Sequence, residues 1–278
     1  MGIGRYPRYI ANPRYERVNG TWSVLTQYPV NNLLPERTKS WEVGMNFRFL
    51  KDFNFDATWY QADTYNQTFN PNVPVGKYSK IYVQTGKIRN WGMEFALGFD
   101  HTWNNFSWAS NMTYSFNKNV IKELGRNAYN PVTGEKLDID QLVMTDNQVG
   151  ATRFILREGG TMGDLYSMVD LQRDHNGNIY INPEGNVSTV SVADKPIKLG
   201  SVLPKGNLAW SNSFTWKNLT ASFMLSARFG GVVYSRTQAV LDYYGVSEAT
   251  GQARDRGFVS INNGDGINPE QWYNLVAG

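Results

Sequence analysis

The sequence predicts an all-β fold, an antiparallel transmembrane β-barrel segment with long loops at one end. Three observations carry that reading. Apolar residues alternate with small or polar ones in period two along successive stretches, and each stretch is about the ten residues that a tilted strand needs to cross a bilayer. Tight turns at one end of the hairpins alternate with long connections at the other, which is how outer-membrane barrels are built. Nowhere in the 278 residues is there an apolar run long enough for a membrane helix, so any spanning structure has to be stranded.

Residues 1–32 are rich in Pro, Tyr and Asn and read mostly as loop, with a weak strand candidate in Thr21 to Tyr28. A clean strand follows, with Trp41, Val43, Met45, Phe47 and Phe49 on one face and Ser40, Glu42, Gly44, Asn46 and Arg48 on the other. After a short turn at Leu50 to Asp52, Phe53, Phe55, Ala57 and Trp59 continue the apolar face opposite Asn54, Asp56, Thr58 and Tyr60. Residues 67–85, with Pro71, Pro74 and Gly76, read as a longer loop at the other end. The pattern then repeats. Trp91, Met93, Phe95, Leu97 and Phe99 alternate with Asn90, Gly92, Glu94, Ala96 and Gly98. The chain turns at Trp103 to Asn105 and returns through Phe106, Trp108, Met112, Tyr114 and Phe116, with Ser110 the exception on the apolar side.

The connection 117–206 is far longer than an unstructured loop in a compact domain and is expected to carry structure. Within it, Tyr166 to Leu171 and Asn178 to Ile181 flank His175-Asn176-Gly177, which predicts a local hairpin with a type I′ turn. Gly159, Gly160 and Gly163 predict sharp bends. The last hairpin shows the rule most fully: Leu208, Trp210, Phe214 and Trp216 lead in, with only Asn212 out of step, and Leu219, Ala221, Phe223, Leu225, Ala227 and Phe229 lead out after Lys217-Asn218. From Gly230 onward no returning strand is expected. Six strands cannot close around a lumen, and an open edge in hydrocarbon leaves backbone groups unpaired, so the sequence is expected to be part of a larger barrel.

Composition narrows function. Mean hydropathy is −0.46 and aromatics make up 14%, which suits aromatic girdles and also many carbohydrate-binding β-proteins. Cysteine is absent, which excludes disulfides and thiolate metal sites. The net charge of +3 is small and its basic residues are scattered, so nucleic acid is not an expected partner. Met1 is followed by no apolar stretch of the secretory kind, which predicts either an internal start or a chain that stays inside the cell. His101 and His175 are the two histidines, and no nucleophile, paired-acid or metal-ligand spacing gathers around either. Neither catalysis nor a cofactor is expected. Asp174-x-Asn176-Gly177 and Asn263-Gly264-Asp265-Gly266 lack the acidic ligand count of a calcium loop and read as tight turns.

Four places resemble a known family. Leu34-Pro35-Glu36 with Ser40-Trp41-Glu42-Val43-Gly44 looks like the family's L-x-P-E…S-x-E-x-G strand entry, and Gly86-Lys87-Ile88-Arg89-Asn90-Trp91-Gly92-Met93-Glu94 looks like its G-x-I-x-N-x-G-x-E strand. Gly160 to Asp164, Arg173 to Gly177, Leu199-Gly200 and Pro204-Lys205 resemble its long loop and return strand. Arg228-Phe229-Gly230-Gly231 through Tyr244-Gly245 is similar to its next outward loop. The family is that of the SusC/RagA-type TonB-linked outer-membrane transporters. The resemblance implies a barrel expected to have 22 strands, with plug and closing strands outside these residues, in the outer membrane of a Gram-negative cell. It further implies import of oligosaccharide or peptide cargo, energy from a TonB complex acting through the plug, and a SusD-like surface lipoprotein seated on long extracellular loops such as 117–206.

Strand parity places Glu42, Arg48, Glu94 and Arg228 on the small-residue faces, where they are the candidates for cargo contact in the lumen; solvation, or pairing with the plug, is their plainer role. Trp59, Trp103, Phe106 and Trp216 fall near strand ends and read as anchors at the interface with outer-membrane lipid. Two other classes of function share parts of the pattern. A soluble or surface carbohydrate-binding β-sandwich would bury its apolar faces against each other, and an outer-membrane enzyme barrel would need an acid, base or nucleophile cluster.

Overall fold

The computed structural model describes residues 14–18, 21–25, 34–69, 83–129, 136–149, 152–262 and 264–276. In chain order the strands are β1 (Arg14–Val18), β2 (Thr21–Leu25), β3 (Arg37–Phe49), β4 (Phe53–Phe69), β5 (Val83–Trp103) and β6 (Phe106–Glu123). Next come β7 (Gly125–Tyr129), β8 (Lys136–Ile139), β9 (Gln141–Val149), β10 (Thr152–Arg157), β11 (Asp164–Ser167), β12 (Val169–Leu171), β13 (Thr189–Ser191) and β14 (Ile197–Ser201). They are followed by β15 (Gly206–Trp216), β16 (Leu219–Phe229), helices α1 (Arg236–Tyr243) and α2 (Glu248–Arg256), then β17 (Val259–Ile261), β18 (Asp265–Ile267) and helix α3 (Pro269–Val276). The chain forms two compact units, one of residues 1–143, 156–162 and 203–231, the other of residues 144–155, 163–202 and 232–278.

The first unit is built on one antiparallel sheet of six strands in the order β16-β15-β6-β5-β4-β3. A single sheet replaces the two facing sheets of a sandwich. Its register keeps the apolar parity unbroken from strand to strand: Met45 pairs with Ala57, Ala57 with Phe95, Phe95 with Tyr114, Tyr114 with Leu208, and Leu208 with Ala227. One residue further along each strand, Asn46, Asp56, Ala96, Thr113, Ala209 and Ser226 make the opposite face. A one-residue slip anywhere would exchange the two faces, so the alternation itself fixes register. Nearer the short turns a run of rings crosses all six strands, from Phe49 to Phe53 (5.3 Å), Phe99 (4.8 Å), Trp108 (4.9 Å), Phe214 (5.9 Å) and Phe223 (6.2 Å). Such a belt is what an aromatic girdle at a membrane interface requires.

The short turns lie at Leu50–Asp52, Asn104–Asn105 and Lys217–Asn218. They hold non-glycine residues at positive φ, with Leu50 at 48°, Lys51 at 61°, Asn104 at 50° and Lys217 at 51°, the mirror-image geometry that matches strand twist. The β5–β6 turn lies four residues beyond the row in which β4 begins, because Phe53 pairs with Phe99 while β5 continues to Trp103. That stagger is the shear a tilted barrel strand demands.

The two polar exceptions on the apolar face meet. Ser110 and Asn212 are register partners on β6 and β15. The Trp108 indole N–H donates to Asn212 Oδ1 (3.0 Å), and the Trp210 indole N–H donates to Ser110 Oγ (2.9 Å). Each polar side chain thus accepts from a tryptophan that would otherwise bring an unpaired donor into hydrocarbon. Asn212 is buried, and its amide Nδ2 is left without a partner.

The structure departs from the sequence reading at the loop ends. β4 runs on to Phe69 and β5 begins at Val83, so the expected loop 67–85 shortens, and its middle, 70–82, lies outside the described residues. Likewise β6 continues to Glu123, seven residues beyond Phe116. These extensions carry polar residues on both faces, which hid them from an apolar-period search. In the N-terminal stretch, Thr21–Leu25 is a strand as expected and pairs with Arg14–Val18, which the reading as loop missed; the other residues of 1–32 lie outside the described residues.

The second unit gives the long connection its body. β11 pairs with β10 and with β14, and β12 pairs with β13. The expected hairpin around Asn176-Gly177 is present only as a tip: Tyr166 to Leu171 pair with other strands, while Arg173 bridges Ile179. Its turn is not type I′ either. Gly177 alone is left-handed (φ 86°), Gly177 N–H donates to Asp174 O (3.1 Å) and Asp174 N–H to Asn178 O (2.8 Å), a three-residue turn closed by a glycine bulge. The Asp174 carboxylate accepts from the backbone N–H groups of Asn176 and Asn178. Slight desolvation pushes that carboxyl up, and the Asn178 and Asn176 hydrogen bonds outweigh it, holding it below the usual aspartate value. Of the predicted bends, Gly159 adopts φ 80°. Beyond Gly231 the chain forms three helices and the β17–β18 hairpin, and Val187, Ile261 and Ile267 make a small core packed by Ile179, Ile181, Val259, Trp272 and Leu275.

Two outcomes follow for the complete barrel. Phe95→Arg at mid-membrane depth should cost about 2–4 kcal/mol and Ala96→Arg much less; equal costs in a reversible refolding titration would overturn the face assignment. Trp108→Phe should cost about 1–3 kcal/mol by stripping Asn212 of its donor. The double change Trp108→Phe with Asn212→Leu should recover part of that loss, and strict additivity in the same titration would show that the two side chains are uncoupled.

Candidate lumenal surface

The face opposite the apolar one is built from small residues, hydroxyls and amides. One row runs Gly44, Thr58, Glu94, Ser115, Asn207 and Arg228, and another runs Arg48, Asn54, Gly98, Asn111, Ser211 and Met224. All four candidate charges therefore lie on this face. Glu94 and Arg228 share a row but stand three strands apart, about 14 Å at the usual strand spacing. Glu42 pairs in register with Tyr60 and Arg48 with Asn54, both on the outermost strand β3. No two of the four form an ion pair with each other among the salt bridges of the described residues.

Glycine decides the local geometry. Tyr60, Gly92 and Asn117 are consecutive register partners across β4, β5 and β6. Because Gly92 has no side chain, the Tyr60 phenol passes over it and donates to Asn117 Oδ1 (3.3 Å). A Cβ at Gly92 would overlap the Phe116 carbonyl oxygen and lie 2.7 Å from the phenol oxygen. The second glycine of the Gly86 to Glu94 motif thus clears the path for a side chain two strands long in reach. Gly98 does the same for the amide of Asn54, which a Cβ would overlap.

Toward the long loops the face becomes an amide cluster. Asn117 Nδ2 and Asn119 Nδ2 both donate to Asn90 Oδ1, at 3.5 and 2.9 Å, and Asn119 Oδ1 accepts from the Met162 backbone N–H (2.8 Å). Asn46 donates to the Asp56 carboxylate. Two grooves mark the face, one of about 620 Å³ beside Asn54, Asn111, Ser211 and Ser222, and one of about 340 Å³ beside Asp56, Thr58, Glu94 and Ser115. The charge candidates found from sequence are thus a small part of a surface whose main chemistry is neutral donors and acceptors. The alternation of each strand pointed to this face, but the joining of Tyr60 to Asn117 needed the three-strand register.

Among the described residues no group of three His, Cys, Asp or Glu could hold a metal ion. His101 Nδ1 lies 2.8 Å from Asp52 Oδ2 beside the short turns, and its ring packs 4.3 Å from that of Trp103, on the apolar side of the sheet.

A family profile described as TonB dependent receptor-like, beta-barrel matches residues 5–231. The chain belongs to that family. As a TonB-dependent receptor barrel it lies in the outer membrane, its apolar face toward lipid. It is 27% identical over 251 residues to TonB-dependent receptor P26 of Formosa agariphila, covering 81% of this chain and 23% of the relative. It is 25% identical over 246 residues to TonB-dependent receptor SusC of Bacteroides thetaiotaomicron, covering 82% and 23%. The chain thus spans about a quarter of the length of these relatives. Its fold is that of the RagAB peptide importer in the open-open state, with a TM-score of 0.55 at 14% identity over 80% of this chain and 24% of that one. The closed-closed state gives a TM-score of 0.53 at 15% identity over 78% and 24%. The resemblance drawn from the four sequence motifs therefore holds.

Gly92→Val in the complete barrel should cost about 1–3 kcal/mol, as overpacking against a backbone oxygen does. Tyr60→Phe, which loses only the hydroxyl, should cost about 1 kcal/mol. If the Gly92 change were silent in heat-modifiability and unfolding assays, the phenol would not need the passage.

Proposed function

We propose that this chain is part of the wall of a nutrient importer whose lumenal face carries polar cargo, oligosaccharide or peptide, past a plug moved by a TonB complex. The observation that carries this reading is the uniform polar face, which keeps one chemistry across six strands while the reverse face stays apolar. Amides and hydroxyls both donate and accept, so they suit the hydroxyls and amides of such oligomers without binding any one rigidly. The relatives support it: two are TonB-dependent receptors, and a protein of the same fold is named as a peptide importer. Glu42, Arg48, Glu94 and Arg228 serve there as scattered charges steering cargo, and no step of covalent chemistry is assigned to the chain.

The loop body of the second unit, outside the cell, forms part of the seat for a SusD-like surface lipoprotein. Its support is a set of exposed apolar side chains after Gly231: Val233 is 91% exposed, Tyr244 72% and Val246 67%, with the ring of the half-exposed Tyr243 5.3 Å from that of Tyr244.

The test is cargo uptake by cells carrying the full-length transporter, with peptide and oligosaccharide mixtures supplied separately. Asn117→Leu with Glu94→Gln should lower uptake of one cargo class roughly fivefold or more, the equivalent of about 1 kcal/mol of lost polar contact, with the barrel still assembled. Tyr244→Glu with Val246→Glu should lower both lipoprotein co-purification and uptake. Undiminished uptake in the first variant would remove the cargo role from this face, and unchanged co-purification in the second would remove the seat.

A further inference from the structure

Above the apolar band, on the same outward parity, the sheet changes character within one row. Trp41, Gln61, Trp91 and Lys118 are consecutive register partners, and the next row away from the short turns is Lys39, Asp63, Arg89 and Val120. Beyond it stand Arg37, Tyr65, Lys87 and Glu123. Six cations, Arg37, Lys39, Lys87, Arg89, Lys118 and Lys122, thus share one outward patch with two carboxylates, Asp63 and Glu123, over four strands, or about 14 Å.

The patch is ordered by its own contacts. Arg89 grips Asp63 through Nε (2.6 Å) and a terminal nitrogen (2.8 Å), so that carboxylate is spoken for. The Lys39 and Lys87 ammoniums lie 5.7 and 4.9 Å from the centre of the Tyr65 ring, and Lys118 lies 6.0 Å from that of Trp91. Aromatic rings hold ammoniums in place without cancelling their charge, so the net positive field stays available to an anion. Because these side chains have the parity of Met93 and Phe95, they point away from the lumen and toward the membrane. On the reading proposed above, in which the long loops are extracellular, this height is that of the outer-leaflet headgroups.

We propose that this patch holds a phosphate-bearing lipid headgroup of the outer leaflet. Charge complementarity and continuity with the lipid-facing band select that occupant: a basic cluster directly above the outward-facing Trp41, which is 73% exposed, and the half-buried Trp91 meets headgroup phosphates at the depth where the acyl chains give way to them. A lipid so held fills the flank of β3 to β6 and fixes the depth of the barrel in the bilayer.

The test uses the full-length transporter, purified in detergent and freed of endogenous lipid, with bis-phosphorylated lipid A as probe and native mass spectrometry as readout. Wild type should bind it about tenfold or more tightly than the same lipid A after phosphatase treatment. Lys39→Gln with Lys87→Gln and Lys118→Gln, which leaves the Arg89–Asp63 pair intact, should weaken binding roughly a hundredfold, the sum expected for three basic residues near a phosphate surface. Lys51→Gln with Lys217→Gln, at the short turns, should leave it within about twofold, and rising salt should weaken it. Should the triple variant fail to assemble, Lys118→Gln alone should lose about fivefold. Unchanged binding in the variant that assembles, equal affinity for the two lipids, or displacement by millimolar inorganic phosphate would each overturn the proposal. Displacement of lipid A by the purified lipoprotein would overturn it too, and assign the patch to a protein.

Discussion

Everything in the first unit depends on pairing the backbone where water is absent. Within hydrocarbon an unpaired N–H or C=O costs several kcal/mol, so β3, β4, β5, β6, β15 and β16 keep an unbroken ladder through the apolar band. The irregularities of register confirm the constraint by where they fall. On β4 they lie between Tyr65 and Gln67 and between Gln67 and Phe69, and on β5 and β6 between Lys87 and Ile88, all beyond the last apolar row. The first of these irregularities borders the row of Arg37, Lys87 and Glu123, and the regular row of Lys39, Asp63 and Arg89 lies just inside it on the outward face.

With the backbone satisfied, the two faces solve separate problems. The outward face packs rings against one another, and the polar pair Ser110 and Asn212 within it is met by indole donors. The inward face does the reverse, sparing volume rather than filling it. Gly92 and Gly98 give up side chains so that Tyr60 and Asn54 lie across neighbouring strands, and rigidity comes from hydrogen bonds spanning three strands instead of from burial.

The sheet was largely legible because strand parity is a one-dimensional signal that six apolar-faced arms repeat. Both polar exceptions were visible too, yet their union was not, since Ser110 and Asn212 meet only when register across a long connection is known. Helices α1 and α2 went unread for a different reason. Arg236–Tyr243 and Glu248–Arg256 carry no apolar stripe wide enough to show a helical period. The available signal was in the caps: Ser235 accepts from Gln238 N–H, Ser247 from Thr250 N–H, and Gly257 closes α2 at φ 86°. The hairpin tip at Asp174 to Asn178 was found by its glycine, but the identity of its arms was decided by competition among strands that local sequence does not record.

The pair of indole-to-polar hydrogen bonds joins β6 to β15, and its members are 104 and 100 residues apart in the chain. The other neighbouring pairs in the sheet are consecutive strands, joined by shorter closures; this one closes across about a hundred residues, at a larger entropic cost. A sheet assembled from hairpins therefore has one late step, at which two preformed edges meet with many offsets open to them. Flat apolar rows discriminate poorly between offsets two residues apart, since both keep the faces correct. An amide oxygen and a hydroxyl that each accept from a particular tryptophan do discriminate, because another offset carries Asn212 Oδ1 and Ser110 Oγ away from those indole donors. The polar flaw in an apolar wall thus marks the one offset at which these two edges fit.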